Sequence, residues 1–179
     1  MKKVYKMNIA GLDRELPFCP INENLDIAAF IMFGDVELTI AVSRELLKKC
    51  PDFDVILTAE AKGIPLCYEM ARQSNKKYLV ARKSAKIYTI NPIKVPVNSI
   101  TTQVPQTLYL GELDVEQIKN KNVLIIDDVI SAGSSLKALE DLVTKAQGKT
   151  VAKACVLAEG AAMERKDIIS LGFLPLFFK

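Results

Sequence analysis

The sequence predicts an α/β fold: a doubly wound, mostly parallel sheet flanked by helices. Short apolar runs typical of buried strands alternate with longer stretches of helical apolar spacing along most of the chain. Half of the 179 residues are hydrophobic and a quarter are charged, the composition of a globular domain with a sizeable core. The first 34 residues do not follow the alternation. We therefore expect a small N-terminal flap or hood, residues 1–34, and a core domain, residues 35–179.

The first half of the core contains two predicted helices and two predicted strands. Residues 35–50 have apolar side chains at helical spacing, and Asp35 is suited to cap the N-terminus of that helix. Residues 53–59 form an apolar run typical of a buried strand, and residues 63–74 follow as a helix. Residues 77–82 complete this half as a second strand.

The second half continues the alternation after a long stretch that contains three prolines. Residues 83–109 are predicted to form a strand, a long loop and a strand, and a loop of such length is usually a functional lid or disordered. Residues 122–128 are a strand, and residues 132–147 are the helix that follows it. The last predicted elements are a strand, a short helix and a terminal strand, at residues 150–160, 163–171 and 173–178.

Composition excludes several classes of function. Histidine is absent, which removes the commonest general base and zinc ligand and argues against triad hydrolases and most metal hydrolases. A net charge of +3 is too small to indicate nucleic-acid binding. The sequence has neither a membrane-length apolar run nor a signal-peptide pattern, so we expect a cytoplasmic protein that binds neither nucleic acid nor membrane. The four cysteines form no C-x-x-C pair and are predicted to be unpaired, idle thiols.

The stretch VLIIDDVISAGSS, residues 123–135, indicates a ligand site. It places Asp127 and Asp128 at the end of a buried strand, where carboxylates are costly unless something binds them. The small-residue loop 131–135 then exposes backbone N–H groups at the start of a helix, whose dipole favours a phosphate. Carboxylates accept hydrogen bonds and therefore suit a neighbouring diol. A phosphate beside a diol indicates a ribose 5-phosphate.

This stretch resembles the 5-phosphoribosyl-1-pyrophosphate (PRPP) motif of the type I phosphoribosyltransferases, nearest to the adenine-type members of the purine branch. The resemblance extends from about Phe33 to the end of the chain. It implies the fold of that family, a homodimer, and Mg²⁺-dependent transfer of a purine base, with adenine favoured, to PRPP with release of pyrophosphate. It also implies that Asp127 and Asp128 hold the ribose. The loop residues expected to bind the 5-phosphate are Ser131, Ala132, Gly133, Ser134 and Ser135.

Two further motifs resemble the pyrophosphate site of this family. The stretch LTAEAKGIPL, residues 57–66, resembles its pyrophosphate loop, in which the peptide bond corresponding to Glu60–Ala61 is often cis. The stretch ARKSAK, residues 81–86, resembles its basic segment. The resemblance assigns pyrophosphate contacts to Glu60, Ala61, Lys62, Gly63, Arg82, Lys83 and Lys86. The residues expected to act in catalysis are Asp127, Asp128, Lys62 and Arg82, and no residue is assigned with certainty to a metal.

The base is expected to lie against apolar side chains, with Phe33 and Val129 as candidates. The terminal stretch FLPLFF is a further candidate. Near the C-terminus, Glu159 and Arg165 match the layout of the purine branch, but an ion pair or a helix cap explains them equally well.

A second hypothesis stays open because of the predicted loop. Residues 84–106 correspond to the mobile loop of the family, which in adenine enzymes carries a glutamate, whereas Ile100 to Gln103 contain no acid. A regulatory protein that senses PRPP without turning it over would not need that glutamate. The residues ahead of the core show no helix-turn-helix pattern, which favours the enzyme or a sensor that acts through a protein partner.

Overall fold

The computed structural model describes residues 4–87, 89–97 and 106–179. The strands in this part of the chain are, in order, β1 (Val4–Ile9), β2 (Leu12–Asn22), β3 (Leu25–Ala28), β4 (Val55–Ala59), β5 (Lys77–Ala81), β6 (Ile93–Val97), β7 (Gln106–Leu110), β8 (Asn122–Ile130), β9 (Lys149–Glu159), β10 (Ile169–Leu174) and β11 (Phe177–Phe178). The helices are α1 (Val36–Leu47), α2 (Ile64–Ser74), α3 (Glu112–Ile118) and α4 (Ser134–Lys145), with a 3₁₀ helix at Gly160–Glu164.

The central sheet is parallel throughout. Among the described residues it has five strands in the order β10-β9-β8-β4-β5. Side chains alternate along each strand: Leu57 and Ile125 face a core shared with α4, while Ile56 and Leu124 face a second core shared with α1 and α2. Helices therefore cover both faces, and the predicted doubly wound α/β fold is confirmed.

Local signals mark the start of α1 and both ends of α2. The side chain of Asp35 caps α1 by accepting a hydrogen bond from the Leu38 backbone N–H at 3.0 Å. Pro65 lies in the first turn of α2, where its missing N–H costs no helical hydrogen bond. Asn75 ends α2 in the left-handed region. These local signals place the start of α2 at the carboxyl end of β4.

The N-terminal residues form a second, antiparallel sheet. Within the described part of the chain its order is β1-β2-β3-β11, so the end of the chain completes it. Phe177 packs edge-on against Tyr5 and Phe18, with ring centroids 5.2 and 4.7 Å apart. The predicted terminal strand 173–178 is thus divided, because Pro175 cannot donate to a strand ladder. Its aromatic Phe177 packs within the N-terminal sheet.

Several predicted elements differ from the structure. The predicted helix 163–171 is wrong, because residues 169–174 pair in parallel with β9 and extend the central sheet. A short apolar run fits a helix or a strand equally well, and the free edge of β9 decides between them. The helix α3 was not predicted. The strand predicted to end at residue 128 continues as β8 to Ile130, so both aspartates lie inside it.

The arm that follows β5, formed by β6 and β7, contains two strands as its sequence predicted, but the first begins at Ile93 and not directly after residue 82. β6 and β7 pair antiparallel, with Ile93 opposite Leu110 and Val97 opposite Gln106. The residues between them, including Ile100 to Gln103, lie outside the described residues. The backbone of Arg82 also pairs with that of Tyr109, which joins the arm to the end of β5.

The prediction of unpaired thiols is confirmed, since all four cysteines are free. Burial raises the pKa of Cys155 to about 12 and that of Cys50 to about 11, which keeps both thiols protonated at neutral pH. As for the membrane, the helices within the described ranges are all too short or too polar to span a bilayer.

Replacing Asp35 with alanine is expected to lower the free energy of unfolding by about 1–2 kcal/mol, since it removes a helix cap and a partly buried ion pair. The Asp35 carboxylate accepts two hydrogen bonds from Arg14 of β2, at 2.6 and 3.0 Å, and so ties the N-terminal sheet to α1. The hydrogen bonds from Arg14 lower the pKa of Asp35. Its contribution is therefore present above the ordinary aspartate pKa and is lost on acidification.

Chemical denaturation at neutral and acidic pH measures this effect. Glu37→Ala is the control, because Glu37 also contacts Arg14 but is largely exposed. A loss in Asp35→Ala no larger than that in the control would contradict the assigned role.

Candidate active site

Two adjoining cavities lie at the carboxyl edge of the central sheet. One, of about 70 Å³, is lined by residues of the loop 131–135 and by the end of β8. The other, of about 190 Å³, is lined by the residues after β4, by Lys83 and by the arm. Asp127, Val129 and Ser135 line both cavities, so the two adjoin along these residues. The sheet brings these segments together because parallel strands end at the same edge.

The two carboxylates are more buried than their predicted place at the end of a strand implied. Asp128 is only 2% exposed, and Lys62 Nζ lies 2.8 Å from its Oδ2. Asp127 is half-buried, and its Oδ1 accepts a hydrogen bond from the Asp128 backbone N–H at 2.9 Å. Burial and the adjacent charge of Asp128 raise the pKa of Asp127. The site therefore holds two close acids that a ligand or a cation can stabilise.

Asp127 is expected to make the folded protein less stable as the pH rises. With a raised pKa, the folded state binds more protons than the unfolded state above the unfolded pKa of about 3.9. The free energy of unfolding then falls with pH until the raised pKa is passed. Asp127→Asn removes this fall. The free energy of unfolding of the variant, relative to that of the parent, should therefore rise by more than about 1 kcal/mol between acidic and mildly alkaline pH.

Denaturation curves at pH 5 and pH 8 measure that gain. Asp52→Asn serves as the control, since Asp52 is exposed in the loop before β4. Parallel pH profiles for the parent and Asp127→Asn would rule out the destabilising charge.

Glu60 fixes the basic segment at the end of β5. Its carboxylate accepts a hydrogen bond from the Lys83 backbone N–H at 2.9 Å and lies 3.5 Å from Arg82 Nε. The hydrogen bond from Lys83 lowers the pKa of Glu60, and the charges of Arg82, Lys86 and Lys83 lower it further. Lys83 lines the larger cavity, whereas Lys86 is exposed beside it. Arg82 lies against Glu60 but outside the lining of the two cavities.

The loop after β4 packs closely against the acidic pair. The peptide bond between Glu60 and Ala61 is cis, as the resemblance implied. A Cβ atom on Gly63 would collide with Thr58 Oγ1 and would lie 3.0 Å from Asp127 Oδ1. The missing side chain at Gly63 therefore allows α2 to begin directly beside the Asp127 carboxylate.

The loop predicted to bind a phosphate, residues 131–135 and named the phosphate loop for that expected role, leads into α4. Gly133 has a φ of 79°, which places it in the left-handed region that favours glycine. Ser134 and Ser135 are the first residues of α4, so their backbone N–H groups have no partner within the helix. Ser131 and Ala132 are exposed, whereas the next three residues are half-buried. The loop thus presents N–H groups and hydroxyls at the smaller cavity.

The structure places the two base candidates differently. Val129 lines both cavities, whereas Phe33 is 55% exposed before α1 and lines neither. Both assignments stay predictions. The sequence reasoning did not find Val97, Gln106 and Leu108, which come from the arm and line the larger cavity.

Arg165 is a further residue whose position only the fold reveals. Its Nη1 lies 2.7 Å from the point where a Cβ atom on Gly133 would be. Glu159 is half-buried at the end of β9, where burial raises its pKa and the charge of Lys62 lowers it. No local pattern in the sequence brings Arg165 and Gly133 together.

Comparison with known proteins agrees with this geometry. The family model described as the phosphoribosyl transferase domain matches residues 35–172. The chain is 34% identical to adenine phosphoribosyltransferase of Petrotoga mobilis over 113 residues, which cover 63% of this chain and 61% of that enzyme, less than two thirds of its length. It is 33% identical to hypoxanthine/guanine phosphoribosyltransferase of a Methanocaldococcus species over 167 residues, which cover 88% of this chain and 80% of the relative.

A solved structure has the same fold. The crystal structure of adenine phosphoribosyltransferase from Thermoanaerobacter pseudethanolicus superposes with a TM-score of 0.68 at 19% identity, over 79% of this chain and 84% of that one. The five-stranded parallel sheet of the described residues, with helices on both faces, is the type I phosphoribosyltransferase fold. Since the family match also spans most of the chain, the resemblance is confirmed and the chain belongs to the phosphoribosyl transferase domain family.

Proposed function

We propose that this protein is a purine phosphoribosyltransferase, which transfers a purine base to the ribose of PRPP and releases pyrophosphate in purine salvage. The observation that carries the proposal is that the two cavities adjoin and share Asp127, Val129 and Ser135 in their linings. PRPP has a phosphate at one end, a diol in the middle and a pyrophosphate at the other end. The phosphate loop, the acidic pair and the loop after β4 lie in the matching order.

The proposed chemistry is electrostatic. The bond between ribose C1 and pyrophosphate breaks and leaves a cation-like C1, to which the purine nitrogen bonds while its proton passes to solvent or to the released pyrophosphate. No covalent nucleophile is therefore required from a chain without histidine. Lys62 and Lys83 line the larger cavity and are proposed to stabilise the negative leaving group. Asp127 and Asp128 are proposed to accept hydrogen bonds from the ribose hydroxyls and to favour positive charge nearby. Lys62 would then exchange its contact with Asp128 for the pyrophosphate.

The residues present fit a magnesium ion that is bound together with PRPP. Among the described residues, no cluster of three or more acids or cysteines could hold a metal by protein ligands alone. Mg²⁺ usually keeps several waters and binds through one or two carboxylates plus substrate phosphates. Asp127 and Asp128 supply two carboxylates at the cavity. When bound, the ion would neutralise part of the charge on the departing pyrophosphate.

We propose adenine as the first base, because the PRPP motif and the pyrophosphate loop resemble the adenine-type branch. Relatives named for adenine and for hypoxanthine and guanine both match the chain, so the test must include each of these bases. The experiment measures pyrophosphate release with Mg²⁺, PRPP and one base per well: adenine, hypoxanthine, guanine, xanthine, uracil or orotate. The expected result is release with adenine above the background without a base.

The second candidate is a PRPP sensor that does not catalyse transfer. The observation that favours it is the absence of an acid from Ile100 to Gln103, where the loop of adenine enzymes carries a glutamate. The same assay separates the two candidates. PRPP binding with no pyrophosphate release in any well would favour the sensor and reject the enzyme.

We further propose that two copies associate through an apolar face of α1 and α2. Val36, Ile40 and Tyr68 are 68, 42 and 54% exposed and line one cavity of about 370 Å³. Light scattering should report a dimer that Tyr68→Lys converts to a monomer, while Leu113→Ser, which removes an exposed leucine elsewhere, leaves it intact. A monomeric parent protein would reject this face as an interface.

Two other assignments are also proposals. We place the protein in the cytoplasm, because PRPP carries several charges and does not cross a bilayer unaided. We also propose that residues 1–34 act as a unit beside the core of residues 35–179. The N-terminal sheet shares a hydrophobic core with α1, which supports a fixed position for that unit.

A further inference from the structure

Arg165 lies beside the phosphate loop although it is far from that loop in sequence. Its Nη1 is 2.7 Å from the ideal Cβ position of Gly133. About a third of the Arg165 side chain is exposed, so a partly buried cation flanks the loop. Arginine stays charged in proteins and its planar fork matches the oxygens of a phosphate.

Acidic and basic neighbours fix the orientation of this guanidinium. Asp167 accepts hydrogen bonds from Arg165 Nε at 3.0 Å and from Nη2 at 2.7 Å. Asp167 is held in turn by Lys153 Nζ at 2.6 Å, and Lys153 also contacts Glu140 of α4 at 3.0 Å. This network links β9, α4 and the segment before β10. It occupies two nitrogens of Arg165 and leaves Nη1 directed at the loop.

A structural role alone does not explain the orientation of Arg165 Nη1, the nitrogen that Asp167 does not contact. Among the described residues, Nη1 has no hydrogen-bond acceptor. Contact with an anion stabilises a half-buried guanidinium group. The loop beside Arg165 is the one whose N–H groups face the smaller cavity. A phosphate bound on that loop would therefore lie within reach of Nη1.

We propose that Arg165 binds the 5-phosphate of the substrate and that Asp167 is the residue that positions it. This inference rests on the proposed function, since it assigns a residue to the phosphate end of the same site. The class of ligand is a phosphate monoester, as in ribose 5-phosphate and its derivatives. A charge-assisted contact of this kind increases the affinity for the ligand roughly ten- to hundred-fold.

The test compares two ligands in calorimetry with the full-length protein. Mg²⁺–PRPP engages the whole site, whereas Mg²⁺–pyrophosphate lacks the 5-phosphate and engages only the other end. Arg165→Gln should lower the affinity for PRPP about ten- to hundred-fold and leave the affinity for pyrophosphate unchanged. Asp167→Asn keeps the charge of Arg165 but loosens its position, so its loss for PRPP should be smaller. Lys166→Gln removes an exposed neighbouring cation and is the matched control, with no loss.

Each result decides between the alternatives. If Arg165→Gln binds PRPP as the parent does, or weakens both ligands equally, the assignment of Arg165 fails while the proposed function stands. Asp167→Asn as harmful as Arg165→Gln would identify the pair as a structural brace and overturn the inference. Failure of the parent to bind PRPP would reject the proposed function itself. Should Arg165→Gln not fold, Arg165→Lys replaces it, and a loss of PRPP affinity with unchanged pyrophosphate binding is again required.

Discussion

Replacing Asp127 and Asp128 together with asparagine is expected to weaken Mg²⁺–PRPP binding by at least about a hundred-fold. Each carboxylate accepts hydrogen bonds only, whereas each amide also donates, so two acceptor positions facing the ribose are partly reversed. The two negative charges that favour Mg²⁺ and a cation-like ribose are also lost. Calorimetry measures the binding, and pyrophosphate release measures turnover.

The double variant should still fold. Asp128 is buried, and close like charges destabilise the folded state, so removing both relieves repulsion. The matched control is Asp52→Asn with Asp54→Asn, which removes two charges just before β4, at the opposite edge of the sheet. A folded Asp127/Asp128 variant that turned over substrate at the parent rate would show that these residues are structural.

Replacing Gly133 with valine is expected to abolish detectable PRPP binding. The φ of 79° is unfavourable for a residue with a Cβ atom, by roughly 1–2 kcal/mol. The new Cβ atom would also meet Arg165 Nη1 at 2.7 Å, and its methyl groups would crowd the phosphate loop. Both the loop and the neighbouring guanidinium would then move from the positions that a phosphate requires. The measurement is PRPP affinity, with the melting temperature recorded for the same samples.

Gly11→Val is a matched control for this variant. Gly11 has a φ of 85° in the turn between β1 and β2, and its ideal Cβ position has no atom within 4 Å. It therefore suffers the same kind of backbone strain, away from the site. We expect the two variants to lose similar amounts of stability. Only Gly133→Val should also lose PRPP binding. Retained binding in Gly133→Val would exclude the loop as the phosphate site.

Local patterns predicted the core elements because each pattern carries its own physical cause. Asp35 satisfies an N–H group of α1 without help from distant residues. The conformations of β8 and of the small-residue loop after it also follow from their own residues. The left-handed conformation of Gly133 is an example. The expected pyrophosphate loop and the basic segment, by contrast, were identified by their resemblance to motifs of the family. Strands and helices alternate along the chain, and in such a parallel sheet ligands bind at the carboxyl ends of the strands, where these motifs lie.

Other features depend on partners that are distant in the sequence. Residues 169–174 form a strand because β9 offers them a free edge, and nothing within the segment excludes a helix. The burial of Asp128 and its contact with Lys62 arise from the packing of α2 against β8. Arg165 reaches Gly133 through a network that begins at Lys153. The sequence alone determined the acidic pair, the small-residue loop and the basic segment, because backbone conformation and motif are local. The tertiary structure decided their burial, charge state and neighbours, because those properties depend on the distances between segments that only folding brings together.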